Sequence, residues 1–228
     1  MKLSRVIGFS GNQCPDIKWL KVQNHENELI YASGSLLVLH NIEKNTQRFF
    51  LGHNEPIICI DTFRDIYESK PFEESKIVNK LFTHSLLDYV VSAQEGKRCL
   101  IKIWCISNGI CVSTFQPPYI SIKSLSCFSM GKYLCTVGVD QQRRECILIW
   151  NISEIESNKK PELVAKQISE FDIVSMKFSP TEADQLVSCG RENIRFWRIK
   201  SDHLKGGAVV LNHHARNTVF TGFHIPFS

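Results

Sequence analysis

Short apolar runs separated by polar turns fill this chain, and three of them share one shape. Ile-Lys-Ile-Trp-Cys-Ile, Ile-Leu-Ile-Trp-Asn-Ile and Ile-Arg-Phe-Trp-Arg-Ile place Trp104, Trp150 and Trp197 at intervals of 46 and 47 residues. Runs this short, bounded by Gly, Asn and Ser, read as strands rather than helices. Aligning them predicts a unit of four strands with the tryptophan in the third. One unit has strands at 122–128, 133–139, 146–152 and 162–166, with a turn at 140–145; the next has strands at 173–178, 185–188, 194–199 and 207–211, with a turn at 190–193. A repeat of about 40 to 50 residues with several strands per unit is the signature of β-propeller blades.

An earlier unit is recovered at 28–32, 35–41 and 46–50, with Leu39 in the tryptophan place. Its distance to Trp104 exceeds one period by about 19 residues, close to the length of the charged stretch 64–84, which reads as a solvated inter-strand insertion. The expected architecture is all-β: an incomplete propeller with blades at about 11–50, 51–116 (insertion 64–84), 117–167 and 168–211, and the start of another at 212–228. An array that does not close leaves apolar blade faces uncovered, so further blades of a longer chain, or another chain, are expected to cover them.

Composition narrows the function classes. The 228 residues are 43% hydrophobic and 22% charged, and the net charge of +4 comes from 27 basic and 23 acidic residues. That balance permits an acidic partner but does not indicate nucleic acid. Neither a signal-peptide core nor a run long enough to span a bilayer is present, which predicts an intracellular protein without membrane attachment. Nine cysteines without a C-x-x-C pair read as buried thiols. Cys99, Cys105 and Cys111 recur every six residues without a suitable histidine pair, and His213-His214 would point to opposite faces of a strand, so neither group suggests zinc. P-loop, dinucleotide, G-x-S-x-G and H-E-x-x-H patterns are absent, and the chain reads as a non-enzyme without a cofactor.

Gly52-His53, four residues before the strand that starts at Ile57, together with the Trp-ended strands, resembles the WD40-repeat family. The family dipeptide is degenerate here: Trp104-Cys105, Trp150-Asn151 and Trp197-Arg198 stand where Trp-Asp is common. Longer strings add to the resemblance: residues 5–11, Leu37-Val38-Leu39-His40, residues 47–53, and 186–191 leading into 195–198. These are similar to the centriolar WD-repeat proteins that carry a CFA20-like module ahead of several propellers, and more distantly to the EMAP-like microtubule-associated proteins. That resemblance implies a protein–protein scaffold in the centriole or basal-body wall, associated with microtubules and cilium assembly, with wall components or tubulin as partners. The CFA20-like module has no counterpart in these residues. A generic WD40 adaptor, such as a ubiquitin-ligase substrate receptor or an RNA-processing scaffold, would use the same blades.

Propeller partners usually meet loops at one end of the strands. The turns before the Trp strands carry Lys97, Arg98, Arg143, Arg144 and Arg191, a candidate basic arc for an acidic partner. Glu95, Asp140, Glu145 and Glu192 share those turns and leave a net charge of about +1, which by itself describes ordinary solvated turns.

Overall fold

A computed structural model describes residues 3–9, 11–20, 27–65, 87–96, 98–155 and 159–225. Among the described residues, sixteen strands form four antiparallel sheets, each of four strands consecutive in sequence. Blade 1 holds β1 (Ile17–Leu20), β2 (Glu28–Ser33), β3 (Leu36–Asn41) and β4 (Thr46–Phe50). Blade 2 holds β5 (Ile57–Asp65), β6 (Leu87–Gln94), β7 (Ile101–Cys105) and β8 (Cys111–Phe115). Blade 3 holds β9 (Ser121–Cys127), β10 (Tyr133–Val139), β11 (Glu145–Asn151) and β12 (Glu162–Ser169). Blade 4 holds β13 (Ile173–Phe178), β14 (Gln185–Gly190), β15 (Asn193–Lys200) and β16 (His203–Ala208). This is the all-β, incomplete propeller that the repeat predicts. Beyond Asp65, the segment 64–84 lies outside the described residues.

One expected strand moves, and one expected position changes face. The outer strand of blade 4 is His203–Ala208, not 207–211, because Leu204 is the residue that reaches the core and Gly206 lets the backbone pass the Trp197 ring. A methyl group on Gly206 would lie 2.7 Å from the indole. In blade 1 the tryptophan place belongs to His40, not Leu39. His40 pairs across from Leu29 as Trp104 does from Val90, whereas Leu39 opposite Ile30 corresponds to Ile103 opposite Val91. Side chains alternate along a strand, so a one-residue slip exchanges the two faces of the sheet.

Three apolar layers join the blades. Leu37, Leu39 and Phe50 of blade 1 meet Ile57, Ile60 and Trp104 of blade 2. Val91 and Ile103 meet Leu125, Leu148 and Trp150. Val137, Ile147 and Ile149 meet Met176, Leu186 and Trp197. Each tryptophan thus plugs the seam with the preceding blade. At the ends of the array this rule has no next layer. Phe196, the blade 4 counterpart of Ile103, is 59% exposed, and Trp19 on the outer face of blade 1 is 50% exposed. Beside Trp19, residues 3–9 lie against that face: Gln47 both accepts from Val6 N and donates to its carbonyl, and Phe9 meets Tyr31 edge-on.

Inner strands are laced by side chains that satisfy N–H groups of the next blade, which matters because an unpaired buried donor is costly. Asp16 accepts from Ile60 N, Asp61 from Cys127 N, Ser124 from Met176 N and Ser126 from Phe178 N. Asp61 also holds Lys18 at 2.8 Å, so one carboxylate ties blades 1, 2 and 3.

Within blades 2, 3 and 4 each indole N–H donates to a hydroxyl two positions along the neighbouring strand: Trp104 to Ser92 at 2.9 Å, Trp150 to Thr136 at 3.0 Å and Trp197 to Ser188 at 2.8 Å. The third member of the relay differs from blade to blade. In blade 2, His53 bridges Ser92 and Gln94. In blade 3, Tyr119 replaces a histidine, its hydroxyl donating to the Thr136 carbonyl at 2.9 Å. Blade 2 thus closes its relay with the histidine of Gly52-His53, and blade 3 closes it with a tyrosine instead.

Burial pushes the His53 imidazole below the usual histidine range, with the Gln94 bond acting against that shift and the Lys102 charge adding to it. The unfolded chain takes up a proton near the ordinary pKa of about 6.5, before the folded relay does. The stabilisation is therefore complete above that pH and is lost as pH falls through the folded value. Urea midpoints measured between neutral and mildly acidic pH should fall more steeply for the wild-type chain than for His53→Gln. Parallel curves would remove His53 from the acid response.

Candidate functional site

The turns joining the second and third strands of the blades share one end of the sheets, with the connections that lead into each first strand. Contacts fix this adjacency: Glu95 N donates to the Pro56 carbonyl, Glu145 accepts from Ile173 N, and Asn193 Nδ2 reaches the Asp172 carbonyl. All the described members of the basic arc lie here. Arg98 follows β6, Arg143 and Arg144 follow β10, and Arg191 follows β14; Lys97 lies outside the described residues.

Local chemistry separates these cations into two kinds. Asp140 is buried and shapes its turn by accepting from the backbone N–H of Gln142 and of Arg144, each at 2.9 Å. The Arg144 guanidinium then clamps the same carboxylate with Nε at 3.1 Å and Nη2 at 2.9 Å. Burial works against ionisation of Asp140, but the Arg144 N–H and guanidinium outweigh it and hold the carboxyl below its usual range. Arg144 is therefore a structural clamp of the turn rather than a free cation. Arg143 occupies the left-handed region at φ 60° and projects into solvent, as Arg98 and Arg191 do, and none of these three makes a side-chain hydrogen bond or ion pair among the described residues.

The acidic side of the ledger is also internal. Glu145 accepts from Lys123 at 2.7 Å and from Ile173 N at 2.6 Å, while Asp172 takes the same Lys123 at 2.6 Å. Glu192 accepts from Asn217 N at 2.6 Å. Three of the four acids that cancel the arc in the sequence are thus engaged within the fold; Glu95 remains exposed beside Arg98. Sequence reasoning missed Lys123, which bridges Glu145 and Asp172 from a strand. It also missed Arg216, exposed just beyond the 3-10 turn Asn212–Ala215 and brought to this end because residues 218–220 bond to 190–192. A signal for Lys123 was available, since it lies near the start of a first strand; Arg216 had none.

Other candidate chemistry does not assemble. Eight of the nine cysteines are buried, the ninth (Cys111) is partly exposed, and none is in a disulfide; burial raises the Cys14 thiol to about 11, beyond reach of thiolate chemistry at neutral pH. Groups of three or more His, Cys, Asp or Glu side chains placed to hold a metal ion do not occur among the described residues. His213 belongs to the 3-10 turn and is exposed. No helix among the described residues is long and apolar enough to cross a membrane.

Comparison with known proteins gives relatives along nearly the whole chain. It is 26% identical over 210 residues to WD repeat-containing protein 90 of Xenopus tropicalis, covering 92% of this chain and 10% of that protein. Identity to centriole proteome protein 16 of Chlamydomonas reinhardtii is 27% over 229 residues, covering 92% and 10%. Echinoderm microtubule-associated protein-like 2 of Homo sapiens matches at 24% over 213 residues, covering 90% and 28%. The chain thus spans a tenth of the length of the first two relatives and just over a quarter of the third. No family model matches. Relatives named for WD repeats, a centriole proteome and microtubule association agree with the resemblance carried by the sequence strings, and four four-stranded sheets agree with an incomplete WD40 propeller.

Proposed function

We propose that this chain is a non-catalytic WD40-repeat scaffold for protein–protein interaction, serving in the wall of the centriole or basal body, with microtubule association and a part in cilium assembly. The observation that carries this reading is similarity over nine-tenths of the chain to proteins whose names join WD repeats to the centriole and to microtubules. Rigid blades that present variable turns at one end suit a scaffold, because strands fix the turn positions and the turns carry recognition. The partners under this reading are wall components or tubulin.

Tagging the endogenous protein and imaging it against centriolar and axonemal tubulin tests the proposal. Signal confined to the centriole wall or basal body is expected. A diffuse cytosolic or nuclear signal would reduce the reading to a WD40 scaffold without that location.

A further inference from the structure

We propose that the turn end of blades 3 and 4 binds an acidic peptide segment of a partner protein through Arg143, Arg191 and Arg216. This inference rests on the scaffold reading and names the chemistry of one partner. The three guanidiniums are exposed and make no side-chain hydrogen bond or ion pair among the described residues. They stand on a continuous rim. Lys123 ties Glu145 of blade 3 to Asp172 at the entry of blade 4, Asn193 Nδ2 bonds the Asp172 carbonyl, and Glu192 bonds Asn217 N next to Arg216.

Internal pairing engages the neighbouring carboxylates and leaves these three guanidiniums without a partner among the described residues, while the summed charge of this end stays near balance. Asp140 is held by Arg144, Glu145 and Asp172 by Lys123, and Glu192 by a backbone N–H. Glu170, Asp172 and Glu192 are all exposed at this end; Asp172 and Glu192 are already bonded within the fold, whereas the three arginines keep their donors unused. At blade 2, by contrast, Arg98 shares its turn with exposed Glu95, and exposed Glu55 lies beside Gly96 of the same turn. Recognition on blades 3 and 4 therefore rests on unused guanidinium donors, not on a net positive field.

The rim fits carboxylates better than a nucleic acid. Guanidinium groups recognise carboxylates by paired N–H donors, so three spaced arginines suit acidic side chains along an extended peptide. A single-strand platform needs exposed rings between its cations. Of the aromatics at this end, exposed Phe171 has its face covered by Arg195, whose guanidinium carbon lies 3.7 Å from the ring centroid, and Phe220 is only partly exposed. A peptide held this way would lie across the seam between two blades, so the packing that joins the blades would also set the spacing of its contacts.

Fluorescence anisotropy of the 228-residue chain with a labelled polyglutamate peptide about ten residues long, at low and at raised salt, tests the proposal. Saturable binding at low salt is expected, weakened roughly tenfold or more by Arg143→Glu, Arg191→Glu and Arg216→Glu together. Lys44→Glu, Lys160→Glu and Lys200→Glu make the same charge change at the opposite end and are expected to leave binding nearly unaltered. Equal weakening by both sets would overturn the site in favour of net charge, and absence of binding by the wild-type chain would overturn it outright. Tighter binding of an oligouridylate of similar length, lost with the same three arginines, would replace the peptide by nucleic acid. Matching far-UV circular dichroism and thermal midpoints across the variants confirm that folding is unchanged. Centriolar signal that persists in the arginine variant, with binding lost, would leave the location reading standing and separate the two proposals.

Discussion

Asp61→Ala is expected to lower stability by about 2 to 3 kcal/mol, at or below the lower end of the range for breaking a buried pair because this pair is only partly buried, and to broaden the unfolding transition. The carboxylate holds Lys18 of blade 1 with one oxygen and accepts from Cys127 N of blade 3 with the other. Removing it leaves an ammonium largely shut away from water and an unpaired N–H group at a seam. Both losses fall on contacts between blades, and an array whose stability is a sum of repeat and neighbour terms loses cooperativity when a neighbour term fails. Urea unfolding followed by tryptophan fluorescence and by circular dichroism reads both effects. In the wild-type chain the two probes should coincide, and in Asp61→Ala they should separate. Asp61→Asn keeps an acceptor for Cys127 N but loses the charge, so it should fall between them. An Asp61→Ala chain that unfolds at the wild-type midpoint would mean that Lys18 and Cys127 N find other partners.

Much of this fold was legible because each blade writes its third strand in the same way. The apolar run ending in tryptophan predicted β7, β11 and β15 to within a residue or two, and the first strand at Ile173–Phe178 and the second at Tyr133–Val139 to the residue. Blade 1 was legible in its last three strands, but its first, Ile17–Leu20, and its facing were not. Its third strand offers Leu37, Val38 and Leu39 in a row, all buried, so hydropathy alone does not tell which side each residue takes. The pairing of His40 with Leu29 settles it. The outer strand of blade 4 failed for a related reason: His-Leu-Lys-Gly-Gly-Ala contains one apolar anchor, Leu204, and two glycines that lower strand propensity.

The candidate site was half legible. Residue types and spacing placed the arginines in the right turns, because a turn before a recurrent strand recurs with it. What the sequence does not carry is which charges are spent inside the protein. Arg144 follows Asp140 by four residues, and their pairing depends on the carboxylate being turned inward to cap its own loop. Lys123 meets Asp172 across 49 positions, a contact that exists only once blades 3 and 4 are packed. Counting the charges gives a near-balance at this end; pairing them keeps that sum and shows which guanidiniums have no partner among the described residues.

Trp104→Ala should cost about 3 to 5 kcal/mol, the range for emptying a buried aromatic site. The indole packs edge-on against Phe50 with centroids 5.9 Å apart, and Gly52 approaches so closely that a methyl group there would lie 3.1 Å from the ring. Its N–H is also the entry to the Ser92 and His53 relay. Packing and hydrogen bonding can be separated. Trp104→Phe retains most of the ring contact while removing the donor, and it should cost less than the alanine change, because Ser92 Oγ keeps His53 Nε2 at 2.7 Å. Ser92→Ala removes the acceptor and leaves a buried indole N–H without a partner. The double variant loses the same bond only once, so its cost should be smaller than the two single costs added. Equilibrium unfolding of the four chains of that cycle measures the difference. Strict additivity would assign the seam between blades 1 and 2 to ring packing alone. A coupling of about 1 kcal/mol would show that the relay helps hold the seam.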